Sequence, residues 1–167
     1  SLESASNLAL ADDAVYSGLS GSSGDDQLTG NSSDNIISGN SGNDVLVGGA
    51  GNDRLVSGLG VDQLDGGVGD DMLDVSGKDV VTDVLVGGEG SDTLIISDGQ
   101  DISGATISGI ETLAGAGTVT VSVEQLAAFD QVEGVEVRID GIIVGTDQAD
   151  TITTGDGNQV IAAGPGD

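Results

Sequence analysis

The chain has 167 residues, 30 of them glycine, with one proline, one Phe, one Tyr, no Trp, no Cys and no His. It carries 29 acidic residues against Arg54, Lys78 and Arg138, a formal net charge of -26. This excludes disulfides, thiolate metal sites and imidazole catalysis, and argues against nucleic-acid and anionic-membrane partners, which need Lys and Arg. A packed core built on aromatics is equally out of reach, so the apolar content of Val, Leu, Ile and Ala suits thin strands. The acids recur periodically among aliphatics, unlike those of a disordered acidic chain. Acid without base points to a cation. No apolar run approaches the roughly 18 residues of a membrane span, and no signal peptide opens the chain.

Residues 1–20 read as a lead-in. Ala11-Asp12-Asp13-Ala14-Val15-Tyr16 has the form of half a repeat, which places Val15 inward and makes Ser17 to Ser20 a short insertion. From Gly21 the chain counts in nines, with units starting at Gly21, Gly30, Gly39, Gly48, Ser57 and Gly66. Val75-Ser76-Gly77 is an extra triplet that predicts a bulge. Lys78 to Val86 is a degenerate unit without its glycines, and Gly87 to Ile95 restores the pattern. The eighth residues are Leu28, Ile37, Leu46, Leu55, Leu64, Leu73, Leu85 and Leu94; the sixth are Asp26, Asn35, Asp44, Asp53, Asp62, Asp71, Asp83 and Asp92.

Residues 96–144 lose the period and read as an irregular β-rich spacer. Val119 to Val123, Val135 to Ile139 and Ile142 to Val144 have strand character. Ser122-Val123-Glu124-Gln125 is a capping box that predicts a short helix over Glu124 to Phe129. At Gly145 the nines resume, with Asp150 sixth and Ile152 eighth. Ser1 in place of an initiator methionine, and a stop at Gly164-Pro165-Gly166-Asp167 in mid-motif, make a piece of a longer protein the expectation.

Gly48-Gly49-Ala50-Gly51-Asn52-Asp53-Arg54-Leu55-Val56 has the form G-G-x-G-x-D-x-U-x. It resembles the calcium-binding nonapeptide of the repeat-in-toxin (RTX, hemolysin-type) family. The resemblance implies an all-β fold: a parallel β-roll, or β-solenoid, over residues 21–95, then the spacer, then a second, truncated roll over 145–167. Glycines first, second and fourth permit positive φ and close backbone approach, leaving three residues per unit for a strand. Two nines make one turn, so the sixth residues of units n and n+2 face each other at strand spacing, about 4.8 Å. Two carboxylates at about 5 Å repel by roughly 3 kcal/mol at an effective dielectric near 20.

A cation reverses that repulsion. Calcium accepts carboxylate and carbonyl oxygens in irregular geometry, magnesium demands a tighter octahedron, and zinc would want His or Cys. The spacing pairs Asp26 with Asp44, Asp44 with Asp62, Asn35 with Asp53, Asp53 with Asp71, and Asp71 with Asp92. The main block is thus expected to bind four to six calcium ions. The Asn35 site is expected to be weaker, and a link between Asp62 and Asp83 is disfavoured by the Lys78 loop. Asp150 is the corresponding candidate in the second block.

Other motifs reduce to the repeat. Asp25-Asp26 and Asp70-Asp71 are fifth and sixth positions, not a glycosidase pair. Gly115-Ala116-Gly117 lacks the rest of a phosphate-binding fingerprint. Asn31-Ser32-Ser33 is a sequon inside a predicted metal loop. Val45, Val47, Val84 and Val86 point outward, and packing against residues 96–144 is the expected cover.

The functional expectation is a non-enzymatic, calcium-dependent structural module of a secreted or cell-surface bacterial protein, an adhesin or surface-layer protein. The family resemblance implies type I secretion. Two alternatives are a C-terminal module of an extracellular enzyme or toxin, and a polysaccharide-binding repeat module. The near absence of aromatic platforms weighs against the latter.

Overall fold

Each nonapeptide holds an aliphatic residue at its eighth position, and side chains alternate along a strand, so the eighth and the next unit's first residue share a face. A computed structural model describes residues 7–12, 17–76 and 82–139, with the backbone of Ile142–Val144 and Val160–Ala162. The chain runs through β1 (Asn7–Ala9), β2 (Gly18–Ser20), β3 (Gln27–Thr29), β4 (Ile36–Ser41), β5 (Val45–Ala50), β6 (Arg54–Leu59), β7 (Gln63–Val68) and β8 (Met72–Asp74). It continues with β9 (Val84–Glu89), β10 (Thr93–Ile96), β11 (Gln100–Asp101), β12 (Thr106–Ser108), β13 (Thr112–Val121), α1 (Val123–Leu126), β14 (Gln131–Ile139), β15 (Ile142–Val144) and β16 (Val160–Ala162).

All the strand pairings among the described residues are parallel. From β1 to β10 successive strands alternate between two sheets. One has the order β1-β3-β5-β7-β9-β12; the other runs β11-β13-β10-β8-β6-β4-β2, with β14 on β13. This is the β-solenoid, all-β with almost no helix. Eighth residues stack on eighth residues: Leu28, Leu46, Leu64 and Leu85 in one sheet, Ile37, Leu55, Leu73 and Leu94 in the other. All are at most 1% exposed. Burial of these single aliphatics, about 2–3 kcal/mol each, makes a narrow core between the sheets.

Several details differ from the sequence reading. Most strands of the main block have six residues instead of three, because the ladder runs on into the next unit's first positions, as Gly49 opposite Gly67 and Ala50 opposite Val68. Gly18–Ser20 is no insertion but strand β2, with Leu19 opposite Ile37. The inward position ascribed to Val15 lies outside the described residues, as does the Lys78 loop over 77–81. The triplet after Asp74 does end β8. Val75 turns fully inward, its N–H donating to the Ile95 carbonyl at 3.0 Å and its carbonyl accepting from Gln100 Nε2 at 2.8 Å. Beside it, Asp74 pairs with Arg54. Burial alone would raise the Asp74 carboxyl, but the Ser76 hydroxyl and the Arg54 guanidinium outweigh it and hold the group below its ordinary value.

The spacer extends the coil end-on. β12 stacks on β9, β13 on β10, and β14 on β13 with a register shift between Ala114 and Gly117. The core continues through Ile102, Ile110, Leu113, Val119, Val121, Phe129 and Ile139. Val84 and Val86 therefore meet Thr106 and Ser108 along a sheet edge. The expected packing of the outward valines beneath the spacer is not found; Val84 is 37% exposed and Val45 and Val47 are half-buried.

The capping box is present: Ser122 Oγ accepts from the Gln125 N–H, and Gln125 Oε1 accepts from the Ser122 N–H. The helix it opens stops at Leu126, short of the expected Phe129. Gln125 spends its amide on the carbonyls of Ile102 and Ala105 at 2.7 and 2.8 Å, anchoring that turn to the coil. Among the described residues no helix is long and apolar enough to cross a membrane. Of the second block, only β16 is described, paired in parallel with β15.

Candidate metal centre

The sixth residue of each unit closes its loop immediately before a strand, so the sheet ladder fixes its main chain. The Asp44 carbonyl accepts from the Gln63 N–H and the Asp53 carbonyl from the Met72 N–H, both at 2.8 Å. The stacking forms two columns. One holds Asp26, Asp44, Asp62 and Asp83; the other holds Asn35, Asp53, Asp71 and Asp92. All eight are at most 2% exposed. Asp150 lies outside the described residues.

Within a column each carboxylate reaches back one turn. Asp44 Oδ1 accepts from the Asp26 N–H at 2.8 Å, Asp62 Oδ1 from the Asp44 N–H at 2.9 Å, and Asp83 Oδ1 from the Asp62 N–H at 3.0 Å. In the second column Asp53 Oδ1 accepts from Asn35 at 2.7 Å, Asp71 Oδ1 from Asp53 at 2.7 Å, and Asp92 Oδ1 from Asp71 at 2.8 Å. Asp62 and Asp83 are joined by the same kind of hydrogen bond as the other pairs. Three residues inserted before Asp83 stretch the spacing from 18 to 21 without displacing the carboxylate.

The second carboxylate oxygen is the distinctive one. Oδ2 of Asp44, Asp53, Asp71 and Asp92 is buried and has no hydrogen-bond partner. Each lies against the first glycine of its own unit. A Cβ placed on Gly39, Gly48, Gly66 or Gly87 would collide with that oxygen and with a carbonyl oxygen one turn on, from Ser57, Gly66, Gly87 and Gly109 respectively. In these four units a carboxylate oxygen and a main-chain carbonyl thus converge on a space that a Cβ would enter. Neither can donate a proton to the other, and leaving charged acceptors buried and unpaired is costly. An oxygen-seeking divalent cation fits such a donor set. Among the described residues no group of three acidic side chains could hold a metal by itself, so the carbonyls are needed.

The first-position glycines therefore differ in role from the second and fourth. From Gly42 to Gly90 the latter lie in the left-handed region, as at Gly49 (φ 117°) and Gly51 (φ 104°); Gly48 does not. Two loops at the start of the roll are satisfied from within. Asn35 Oδ1 accepts from the Asn31 N–H at 2.8 Å, and its Nδ2 donates to Asn31 Oδ1 at 3.1 Å. Asp26 Oδ2 takes the N–H of Ser22 at 2.6 Å.

Burial pushes the carboxyls of Asp44, Asp53 and Asp71 from 3.8 up to about 6; the N–H each accepts opposes this, and neighbouring aspartates add to it. Asp92 is raised for the same first reason, with Glu111 and Asp70 adding to it. Without metal, Asp44, Asp53 and Asp71 hold their protons to about pH 6 in the folded chain and lose them near pH 4 in the unfolded chain. Folded-state stability is then greatest below the unfolded value and is lost as pH rises through about 6. In chelator, strand circular dichroism is expected to be stronger at about pH 4.5 than at pH 7. A signal that grows with pH over that window contradicts the assignment.

Three features were not anticipated. Fifth-position side chains form an outer, exposed ladder of opposite sense. Asp25 Oδ1 accepts from Asn43, Asn43 Oδ1 from Val61, Asp34 Oδ1 from Asn52, and Asn52 Oδ1 from Asp70, at 2.8 to 3.0 Å. Asp25 and Asp26 thus belong to different ladders, as do Asp70 and Asp71. Ser57 occupies a first position that glycine holds in the flanking units, at Gly48 and Gly66; it is fully buried and its hydroxyl has no hydrogen-bond partner. Glu111 extends the second column: its Oε2 accepts from the Asp92 N–H at 2.8 Å. The signal for Glu111 was the Glu-Thr-Leu run at 111–113, which keeps the sixth-to-eighth spacing.

The family model of the RTX calcium-binding nonapeptide repeat matches the chain four times, over residues 19–46, 38–73, 82–102 and 140–167, more than half of its length. Comparison with curated proteins and with solved structures gave no match.

Proposed function

The chain belongs to the RTX calcium-binding nonapeptide repeat family, and on that premise we propose that it is a rigid, calcium-set spacer in a secreted bacterial adhesin or surface-layer protein. RTX repeats bind calcium as structural modules, and such proteins are typically secreted by the type I route. Calcium supplies a divalent charge that accepts oxygen ligands without a rigid geometry.

In this reading Asp44, Asp53 and Asp71 offer Oδ2 together with the carbonyl oxygens of Ser57, Gly66 and Gly87. Asp26, Asp62 and Asp83 complete the first column. Asn35, neutral and already hydrogen-bonded, gives the weakest site. The main block takes four to six ions, and Asp150 plays the same part where the nines resume. Each site has few charges, which suits affinities near 10⁻⁴–10⁻³ M, the range of extracellular modules. The chain then folds where calcium is abundant.

The observation that carries the spacer role is the continuity of the ladder. Parallel pairing passes from the repeats into β12, β13 and β14 without a break in direction, and the family match resumes at residue 140. Single-molecule pulling tests this. In millimolar calcium the chain is expected to resist extension and yield in discrete steps; in chelator it should extend as a coil. Equal compliance in both would sink the spacer reading. Saturable polysaccharide binding by the calcium-loaded chain would replace it with a carbohydrate-binding one.

A further inference from the structure

The second column of carboxylates does not stop where the repeats stop. Asp92 is 0% exposed, and its Oδ2 has no hydrogen-bond partner. A Cβ on Gly87 would collide with that oxygen and with the carbonyl oxygen of Gly109. Gly66, Asp71 and Gly87 make the same arrangement one turn earlier.

What differs is the turn that closes it. The Asp71 N–H is held by Asp92 Oδ1 at 2.8 Å, and the Asp92 N–H is held by Glu111 Oε2 at 2.8 Å. Thr93 stands opposite Thr112 in the ladder, so Glu111 occupies the level of the next repeat aspartate. No repeat loop precedes it. Gly109 is two residues before Glu111, whereas Gly87 is five before Asp92. The extra methylene of glutamate lets its carboxylate reach the Asp92 N–H from this shorter turn.

We propose that Asp92 Oδ2 and the Gly109 carbonyl, framed by Gly87, form a further calcium site, with Glu111 as the residue that positions Asp92 and closes the column. Gly109 and Glu111 lie outside the segments that match the family repeat. The inference rests on the reading of the repeats as calcium sites and adds one ion to it. Glu111 also brings a second negative charge to the site, which a cation relieves. Its carbonyl accepts from the N–H groups of Asp130 and Gln131 at 2.7 and 3.0 Å. The site thereby ties β13 and β14 to the end of the roll, and calcium sets the spacer as well as the repeats.

Calcium titration calorimetry and amide hydrogen exchange on the whole chain test this. Glu111→Gln keeps an acceptor for the Asp92 N–H and removes the charge. One ion should then bind about tenfold more weakly, the rest as in the parent chain. Protection of residues 112–121 should require correspondingly more calcium. Gly87→Ala should remove that ion. If Glu111→Gln leaves every affinity and the exchange profile unchanged, Glu111 is only a hydrogen-bond acceptor and the proposal fails. If the parent chain binds no calcium at all, the reading of the repeats fails with it, which is a distinct result.

Discussion

Stripped of calcium at neutral pH, the chain is expected to lose most of its strand circular dichroism and to recover it when millimolar calcium is added. The reason lies in the unpaired Oδ2 atoms of Asp44, Asp53, Asp71 and Asp92. A buried acceptor without a partner costs on the order of 1–3 kcal/mol, more when charged. Together these approach the whole stability of a small domain, roughly 5–15 kcal/mol. The core offers little to offset them, since each nine buries one aliphatic residue and Phe129 is the single buried aromatic among the described residues. Raised carboxyl pKa values give partial relief by protonation only toward pH 6 and below. At pH 7 a cation is the remaining remedy, so binding and folding are one transition. Strand signal indifferent to chelator at neutral pH would refute this.

Gly48→Ala is expected to abolish one calcium site. Gly48 lies outside the left-handed region, so alanine meets no backbone strain there. Its Cβ would instead enter the space between Asp53 Oδ2 and the Gly66 carbonyl. Overpacking of this kind costs about 1–3 kcal/mol. Loss of an ion present at a hundredfold its Kd removes about 2.7 kcal/mol more. Calorimetry should count one ion fewer, and the melting temperature in calcium should fall. Asp53→Asn provides the comparison, because its amide oxygen still accepts from the Asn35 N–H while the charge is lost. If Gly48→Ala binds the full number of ions at unchanged stability, the space beside Gly48 is not a metal site.

Much of this was legible because two residue classes stay in phase. The eighth-position aliphatics announce a single inward file, and the sixth-position aspartates announce stacked carboxylates. The fifth positions are less uniform, with Asp25, Asn43 and Val61 in one column, so the outer ladder is diluted in the pattern. Glu111 keeps the spacing to Leu113 but lacks the glycines that mark a repeat. The valines at 84 and 86 look the same in sequence whether the spacer folds back over them or stacks beyond them. That choice depends on β12 finding the open edge of β9, a pairing between main-chain groups that side-chain pattern does not encode.

The two hydrogen-bond ladders run in opposite senses along the coil. In the inner one a turn's amide gives to the side chain of the following turn; in the outer one it gives to the side chain of the preceding turn. Each turn is therefore incomplete without both neighbours, and contacts reach no further than those neighbours. Such a coil has the thermodynamics of a one-dimensional chain, in which stability is a sum of turns and junctions. Damage to a middle turn breaks two junctions and leaves two short rolls, whereas damage at an end breaks one and leaves a single shorter roll. The same substitution thus weighs differently according to its place along the axis, and lengthening the array makes its centre the most secure part.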